Sequence, residues 1–291
     1  MLSILDLFSG IGGFSYAAER LVGGFSTKQF VEINPYCCSV LSKNWPDVPI
    51  HDDIQTYTAS VKSFDVITAG FPCQDLSTAG KQAGLRGERS GLFYEIMRLV
   101  RDIQPQFLVL ENVANLVSHA NGETFQEVLY QIAQAGFDAE WAVIPASDVG
   151  ACHRRARIWI VAYAPHMLSN GSPGEYQGQL GRQSLSESRN RDRADVANTN
   201  NKGPQRRQST IVCERGTERP TWARNTPSSL LTPDWRSYVS EPVLCRGDDG
   251  LSGRVDRLKA LGNAVVPQVA SVALQRVKDL AAVADSWVDA K

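Results

Sequence analysis

The sequence predicts an α/β fold, a mostly parallel sheet with helices on both faces. Three observations predict it. Strand-like and helix-like segments alternate through the first 165 residues, the pattern of parallel strands joined by crossover helices. A glycine-rich turn, Gly10-Ile11-Gly12-Gly13, separates the first apolar strand from the first helix. A second apolar run, Phe64 to Ala69, ends in a Gly70-Phe71-Pro72 turn and a cysteine, Cys73. Open α/β sheets bind ligands at that end of their strands.

Each element follows in order. Leu2 to Phe8 is a short apolar strand, and Phe14 to Leu21 reads as a helix after the glycine turn. Lys28 to Glu32 is strand-like. Pro35 to Asn44 is helical, with Pro35 suited to a first helical turn. Val66 to Ala69 is the strand before the Cys73 loop. Leu92, Phe93, Ile96, Leu99, Val100 and Ile103 have the spacing of an amphipathic helix over 92–103. Phe107 to Leu110 is a buried strand, and Thr124 to Ala135 a helix. Phe137 to Ile144 and Arg157 to Tyr163 read as a closing antiparallel pair.

The character changes near Ala164-Pro165. Residues Ser169 to Gln208 are rich in Ser, Gly, Asn, Gln and Arg, show no period, and read as loop or partly disordered chain. Trp222, Trp235, Tyr238 and Val243-Leu244 restore some core-forming capacity. Periodicity returns after Arg254. Val265 to Trp287 reads as a helix with Val269, Val272, Ala273, Val277 and Leu280 on one side. The reading is one large α/β domain, residues 1–165 plus 254–291, with a small irregular domain, 166–253, inserted late.

Composition narrows the partners. The chain has 291 residues, with 30 Lys+Arg against 31 Asp+Glu, so no global basic charge announces nucleic acid. The stretch from Arg182 to Arg224 is locally basic. Such a segment either meets phosphates or is a solvated insertion. The six cysteines form no CxxC pair, which argues against a zinc site, and no metal is expected. No apolar run approaches the roughly 20 residues of a membrane span, and the N-terminus lacks a signal-peptide layout. A soluble protein of a reducing cytoplasm is expected.

Several residues have chemistry to offer. Cysteine is the strongest nucleophile among the side chains that could sit at Cys73. A free cysteine is often only a small buried hydrophobe, but that reading explains neither Pro72 nor the polar Gln74, Asp75 and Ser77. Glu111 stands at a second strand end. A thiol and an acid at two strand ends suit attack on a conjugated carbon with a proton donor at hand, as in pyrimidine chemistry. Arg155 and Arg157 alternate on the approach to a strand, so both would point to one face and could lower the thiol pKa. With Arg154, they read equally well as a surface basic cluster. Glu32 ends the second strand about 20 residues after the glycine loop, where an acid bonds ribose hydroxyls. Asp53 could accept from an adenine amino group. The glycine loop is not GxGxxG and carries no phosphate-binding Lys. A nucleoside cofactor without pyrophosphate fits better, and S-adenosylmethionine is the obvious one.

At this point the chain resembles the DNA (cytosine-5) methyltransferases of bacterial or phage type. Asp6 to Phe14 resembles the family's cofactor loop, and Gly70 to Ser77 its nucleophile loop. Glu111-Asn112-Val113, Arg155-Ala156-Arg157 and Leu261 to Pro267 resemble three further motifs, in family order. His153 stands where the family usually has Gln, and Ala156 where it often has Glu. The intervening 166–253 lies where the family keeps its variable target-recognition region.

The resemblance implies a Rossmann-like S-adenosylmethionine-dependent methyltransferase sheet with a small inserted target-recognition domain. It implies that Cys73 adds to cytosine C6, that Glu111 bonds N3 and the exocyclic amine, and that Arg157 and Arg155 hold the base or the thiolate. Phe8 and Ile33 would sandwich the adenine. Gly10, Gly12, Glu32, Asp53, Ile54, Pro72, Leu92, Asn263 and Val265 complete the implied cofactor set. Gln74, Ser77, Thr78 and Arg86 are the implied DNA contacts. The expected partner is double-stranded DNA, with the target base flipped out, and one subunit suffices for that reaction. The recognition sequence, and the existence of a cognate restriction endonuclease, are not legible. Two other readings stay open: the same chemistry on tRNA, which the long insert disfavours, and a silent DNA-binding relative, which the intact motifs disfavour.

Overall fold

The computed structural model describes residues 1–72, 91–164 and 254–288. Seven strands form one sheet: β1 (Leu2–Leu7), β2 (Phe25–Val31), β3 (Ile50–His51), β4 (Val66–Gly70), β5 (Phe107–Val113), β6 (Asp138–Ile144) and β7 (Arg157–Tyr163). Their order is β3-β2-β1-β4-β5-β7-β6. Within β3-β2-β1-β4-β5 every pair of neighbours is parallel. β7 runs antiparallel to both β5 and β6, the closing pair that the sequence predicts. The strand order reverses between β1 and β4, and ligands of open α/β sheets bind at such a switch point.

The helices are α1 (Gly13–Tyr16), α2 (Pro35–Asn44), α3 (Leu92–Ile103), α4 (Glu123–Gln134), α5 (Arg254–Asn263) and α6 (Pro267–Val288). Side chains alternate along each strand, so each face has its own core. Leu5, Leu7, Ile67, Leu108, Leu110 and Ile160 pack with Phe93, Ile96, Leu99 and Val128 of α3 and α4. Ile4, Val66, Phe107, Val109 and Trp159 pack with Phe14 and with Val269, Ala273, Val277 and Leu280 of α6. The apolar side read for the last helix is therefore the buried one. The helix begins at Pro267 rather than Val265, because proline suits a first turn.

Three local differences from the sequence reading have physical causes. The helix expected over Phe14 to Leu21 is divided. α1 passes into a π-helical segment, Ala17–Val22, and Gly23 N–H bonds the Ala18 carbonyl five residues back at 2.8 Å. β2 starts at Phe25, not Lys28, because Leu2 and Phe25 are already in register. β3 has two residues, too few to show a period.

One carboxyl group is wholly enclosed. Asp6 on β1 is 0 % exposed. It accepts from Ser15 Oγ and Thr68 Oγ1, each at 2.7 Å. These two bonds tie β1 to α1 and β4 just beneath the glycine loop. Burial pushes its pKa up to about 7, against the opposing effect of both hydroxyls.

Candidate active site

A cavity of about 470 Å³ opens at the switch point, within the ordinary range for ligand sites. The loop after β1, the loop after β4, the end of β5, the entry to β7 and the end of α5 all contribute to its walls. It brings together Phe8, Gly10, Glu32, Ile33, Pro72, Glu111, Arg155, Arg157 and Asn263. Nine residues singled out in the sequence, from six separate segments, thus share one space.

The β1 end of the cavity suits a nucleoside. Phe8 directly follows β1 at φ +53, a left-handed conformation that costs a non-glycine residue energy. Ile33 is 73 % exposed, an uncovered apolar side chain at the same opening. Glu32 Oε2 accepts from Gly10 N at 2.7 Å and Oε1 from Asn34 N at 2.8 Å. These bonds fix the carboxylate and leave each oxygen capacity for a hydroxyl donor.

The β5 end carries acid and base groups. Glu111 pairs with Gly70 in the β4–β5 register, and a Cβ on Gly70 would sit 3.4 Å from Glu111 Oε2. Glycine there keeps that oxygen clear on the β4 side. Arg157 Nε lies 3.1 Å from Glu111 Oε1. Burial raises the Glu111 pKa, and Arg157 and then Arg155 oppose the rise. Arg155 is also half-buried. Burial and then Arg157 lower its pKa, while Glu111 raises it. Its Nη2 donates to the Ala264 carbonyl at 2.8 Å, and its backbone has φ +27.

Asn112 is a participant that the sequence reading passes over, although it stands inside a quoted motif. It is 2 % exposed. Its Nδ2 donates to the Phe71 carbonyl at 3.3 Å, and its Oδ1 accepts from Val113 N at 2.8 Å. β5 therefore holds the turn that leads from β4 into Pro72.

Other expected residues lie elsewhere. Gly12 and Val265 line a neighbouring cavity. A Cβ on Gly12 (φ +86) would meet the Trp45 ring at 2.6 Å, and one on Gly13 would meet the Val265 carbonyl oxygen at 2.8 Å, so these residues pack the back of the loop. Ile54 is 4 % exposed and belongs to the core, and Leu92 packs against that same core. Asp53 Oδ1 accepts from Gln55 N at 2.9 Å, closing a local turn. None of these three lines the cavity that holds Glu32. Cys73, Gln74, Ser77, Thr78 and Arg86, and the whole of 166–253, lie outside the described residues. Among the described residues no group of three or more His, Cys, Asp or Glu could hold a metal ion, and no helix is long and apolar enough to cross a membrane.

Comparison with known proteins adds an independent finding. The sequence profile described as C-5 cytosine-specific DNA methylase matches residues 2–217. Type II methyltransferase M.DsaV of Dactylococcopsis salina is 35% identical over 164 residues, 56% of this chain and 46% of that protein. Type II methyltransferase M.Bsp6I of Bacillus sp. (strain RFL6) is 37% identical over 166 residues, 56% of this chain and 52% of that protein. Type II methyltransferase M.HhaI of Haemophilus parahaemolyticus is 34% identical over 162 residues, 56% of this chain and 49% of that protein. The chain spans about half the length of the curated relatives it matches.

Proposed function

Because this chain belongs to the C-5 cytosine-specific DNA methylase family, we propose that it transfers a methyl group from S-adenosylmethionine to C5 of cytosine within a short sequence of double-stranded DNA. The observation that carries this reading is the partly buried Glu111 carboxyl, 3.1 Å from Arg157, in the same cavity as the Glu32 carboxylate. A proton donor and a nucleoside-binding carboxylate share one opening.

The residues present fit the cofactor. The two apolar side chains Phe8 and Ile33 suit an adenine ring, and Glu32 keeps acceptor capacity for ribose hydroxyls. Asn263 reaches the same opening from α5. Bound S-adenosylmethionine supplies an electrophilic sulfonium methyl group. The protein supplies the rest.

Cys73 follows Pro72 directly in the sequence, and Asn112 holds the Phe71 carbonyl two residues before it. In this mechanism its thiolate forms a bond to C6 of the flipped cytosine. Glu111 gives a proton to N3 as the ring becomes electron-rich, a role its raised pKa favours. Arg157 holds Glu111 in place and faces the O2 side of the base. C5 then takes the methyl group, a base removes the C5 proton, Glu111 recovers its proton from N3, and the C6–sulfur bond breaks to free Cys73. The target atom lies within a duplex stack, so the base must be extruded first. Gln74, Ser77, Thr78 and Arg86 would contact the DNA.

In the same reading, 166–253 forms the target-recognition domain on a catalytic unit of 1–165 plus 254–291. The enzyme works as a monomer in a bacterial or phage-infected cytoplasm, at the nucleoid, and a restriction endonuclease of matching specificity is a candidate partner, to be set against a solitary enzyme. Bisulfite sequencing of DNA from a host without cytosine methylation, expressing this chain, tests the proposal. Methylation at one short motif is expected, and its loss with Cys73→Ser. Unmodified DNA from soluble protein that binds S-adenosylmethionine would overturn the DNA substrate.

A further inference from the structure

A second cavity, of about 680 Å³, lies behind the glycine loop. Its apolar wall includes Val40, Trp45, Leu261 and Val266, and its basic groups are Arg20, His153 and Arg155. Among the described lining residues there is no carboxylate. The nearby Glu19 carboxylate is engaged, on one side by a group of the cavity wall, Trp45. Its Oε2 accepts from Trp45 Nε1 at 2.8 Å and its Oε1 from Thr27 N at 2.7 Å. The first cavity, by contrast, holds Glu32 and Glu111.

Two guanidinium groups and an imidazole beside an apolar wall select one chemical class. Guanidinium groups bind sulfonates, phosphates and carboxylates through paired hydrogen bonds. An indole and aliphatic side chains favour a flat apolar body. A cation would meet two guanidinium groups and no carboxylate among the described lining residues. We infer that this cavity is a second ligand site, taking a small aromatic anion.

Arg155 lines both cavities. An anion in the second cavity competes for the guanidinium that otherwise bonds the Ala264 carbonyl, so occupancy there reaches the Glu111 site through one side chain. The inference does not depend on the methyl-transfer reading, because its test measures binding alone.

The probe is 8-anilinonaphthalene-1-sulfonate, titrated by fluorescence into the full chain and three variants with matched thermal melts. Arg20→Glu reverses charge at an exposed position, Val40→Trp fills the second cavity, and Ile33→Glu alters only the first. The expected result is saturable binding at one site, weakened at least tenfold by Arg20→Glu and by Val40→Trp and unchanged by Ile33→Glu. Weakening by Ile33→Glu alone would place the anion in the first cavity and overturn the inference. So would equal affinity in all four proteins, or no saturable binding.

Discussion

Arg155 Nη2 donates to the Ala264 carbonyl oxygen at 2.8 Å across 109 residues of sequence. The chain entering β7 thereby fixes the junction between α5 and α6, the junction that brings Asn263 to the cavity. A hydrogen bond from a charged donor contributes about 1.5–3 kcal/mol, and the half-buried setting places this one at the lower end. Arg155→Ala should lower stability in urea titrations by about 1–2 kcal/mol. It should also weaken S-adenosylmethionine binding several-fold in calorimetry. An unchanged affinity would show that Asn263 is held without Arg155.

Glu111→Gln keeps the shape of the side chain and removes its proton. General acid groups typically contribute 10²–10⁴-fold, so kcat should fall by about that factor with little change in KM for the cofactor. The pH dependence has a definite sign. A donor must be protonated, so activity falls as pH rises through the elevated Glu111 pKa, and the glutamine variant should lack that limb.

Arg157→Gln tests the same pair from the other side. Arg157 lowers the Glu111 pKa, so its loss should carry the alkaline limb of kcat to higher pH while reducing the maximum. A limb that moves to lower pH would contradict the assigned pairing.

Asn112→Ala removes the donor to the Phe71 carbonyl in a buried setting. An orphaned buried group costs about 1–3 kcal/mol. Stability should drop by that amount, and kcat should fall more than cofactor affinity, because the Gly70-Phe71-Pro72 turn and not the nucleoside end loses its tether. Stopped-flow single turnovers against calorimetric affinity separate the two effects.

Asp6→Asn addresses the enclosed carboxyl. Its pKa rises from 3.8 to about 7 on folding, so the native state binds the proton more tightly than the unfolded chain does. This contribution is fully present below pH 3.8, declines as pH rises and is lost above about pH 7. The parent should lose stability relative to Asp6→Asn across that window in urea titrations at successive pH values. Parallel curves would show that Asp6 does not titrate there.

Much of the fold was legible because periodicity is a packing signal. The apolar spacing of 92–103 and 269–280 reports the helix faces that meet the sheet. β3 was not legible, since two residues carry no period. The π-helical segment at Ala17–Val22 was hidden because its composition is that of an α-helix. In the site, charged and glycine residues at strand ends announced themselves by chemistry that a core has no use for. Ile54 was named through the family resemblance alone, because an apolar residue beside Asp53 is as fit for the core as for a ligand wall. Asn112 acts through a backbone carbonyl contributed by another strand, a relation that no local spacing encodes.

The reversed direction of β7 has a practical consequence. Arg157 opens its strand whereas Glu111 lies near the close of β5, yet the antiparallel register sets Arg157 opposite Val113. Every reactive group described therefore gathers along one rim. The turns at Gly23-Gly24, Ser60 to Ser63 and Ala135-Gly136 occupy the other rim. That side is the natural attachment point for a fluorophore, an affinity handle or a fused protein, at a full strand length from the cavity that holds Glu32 and Glu111.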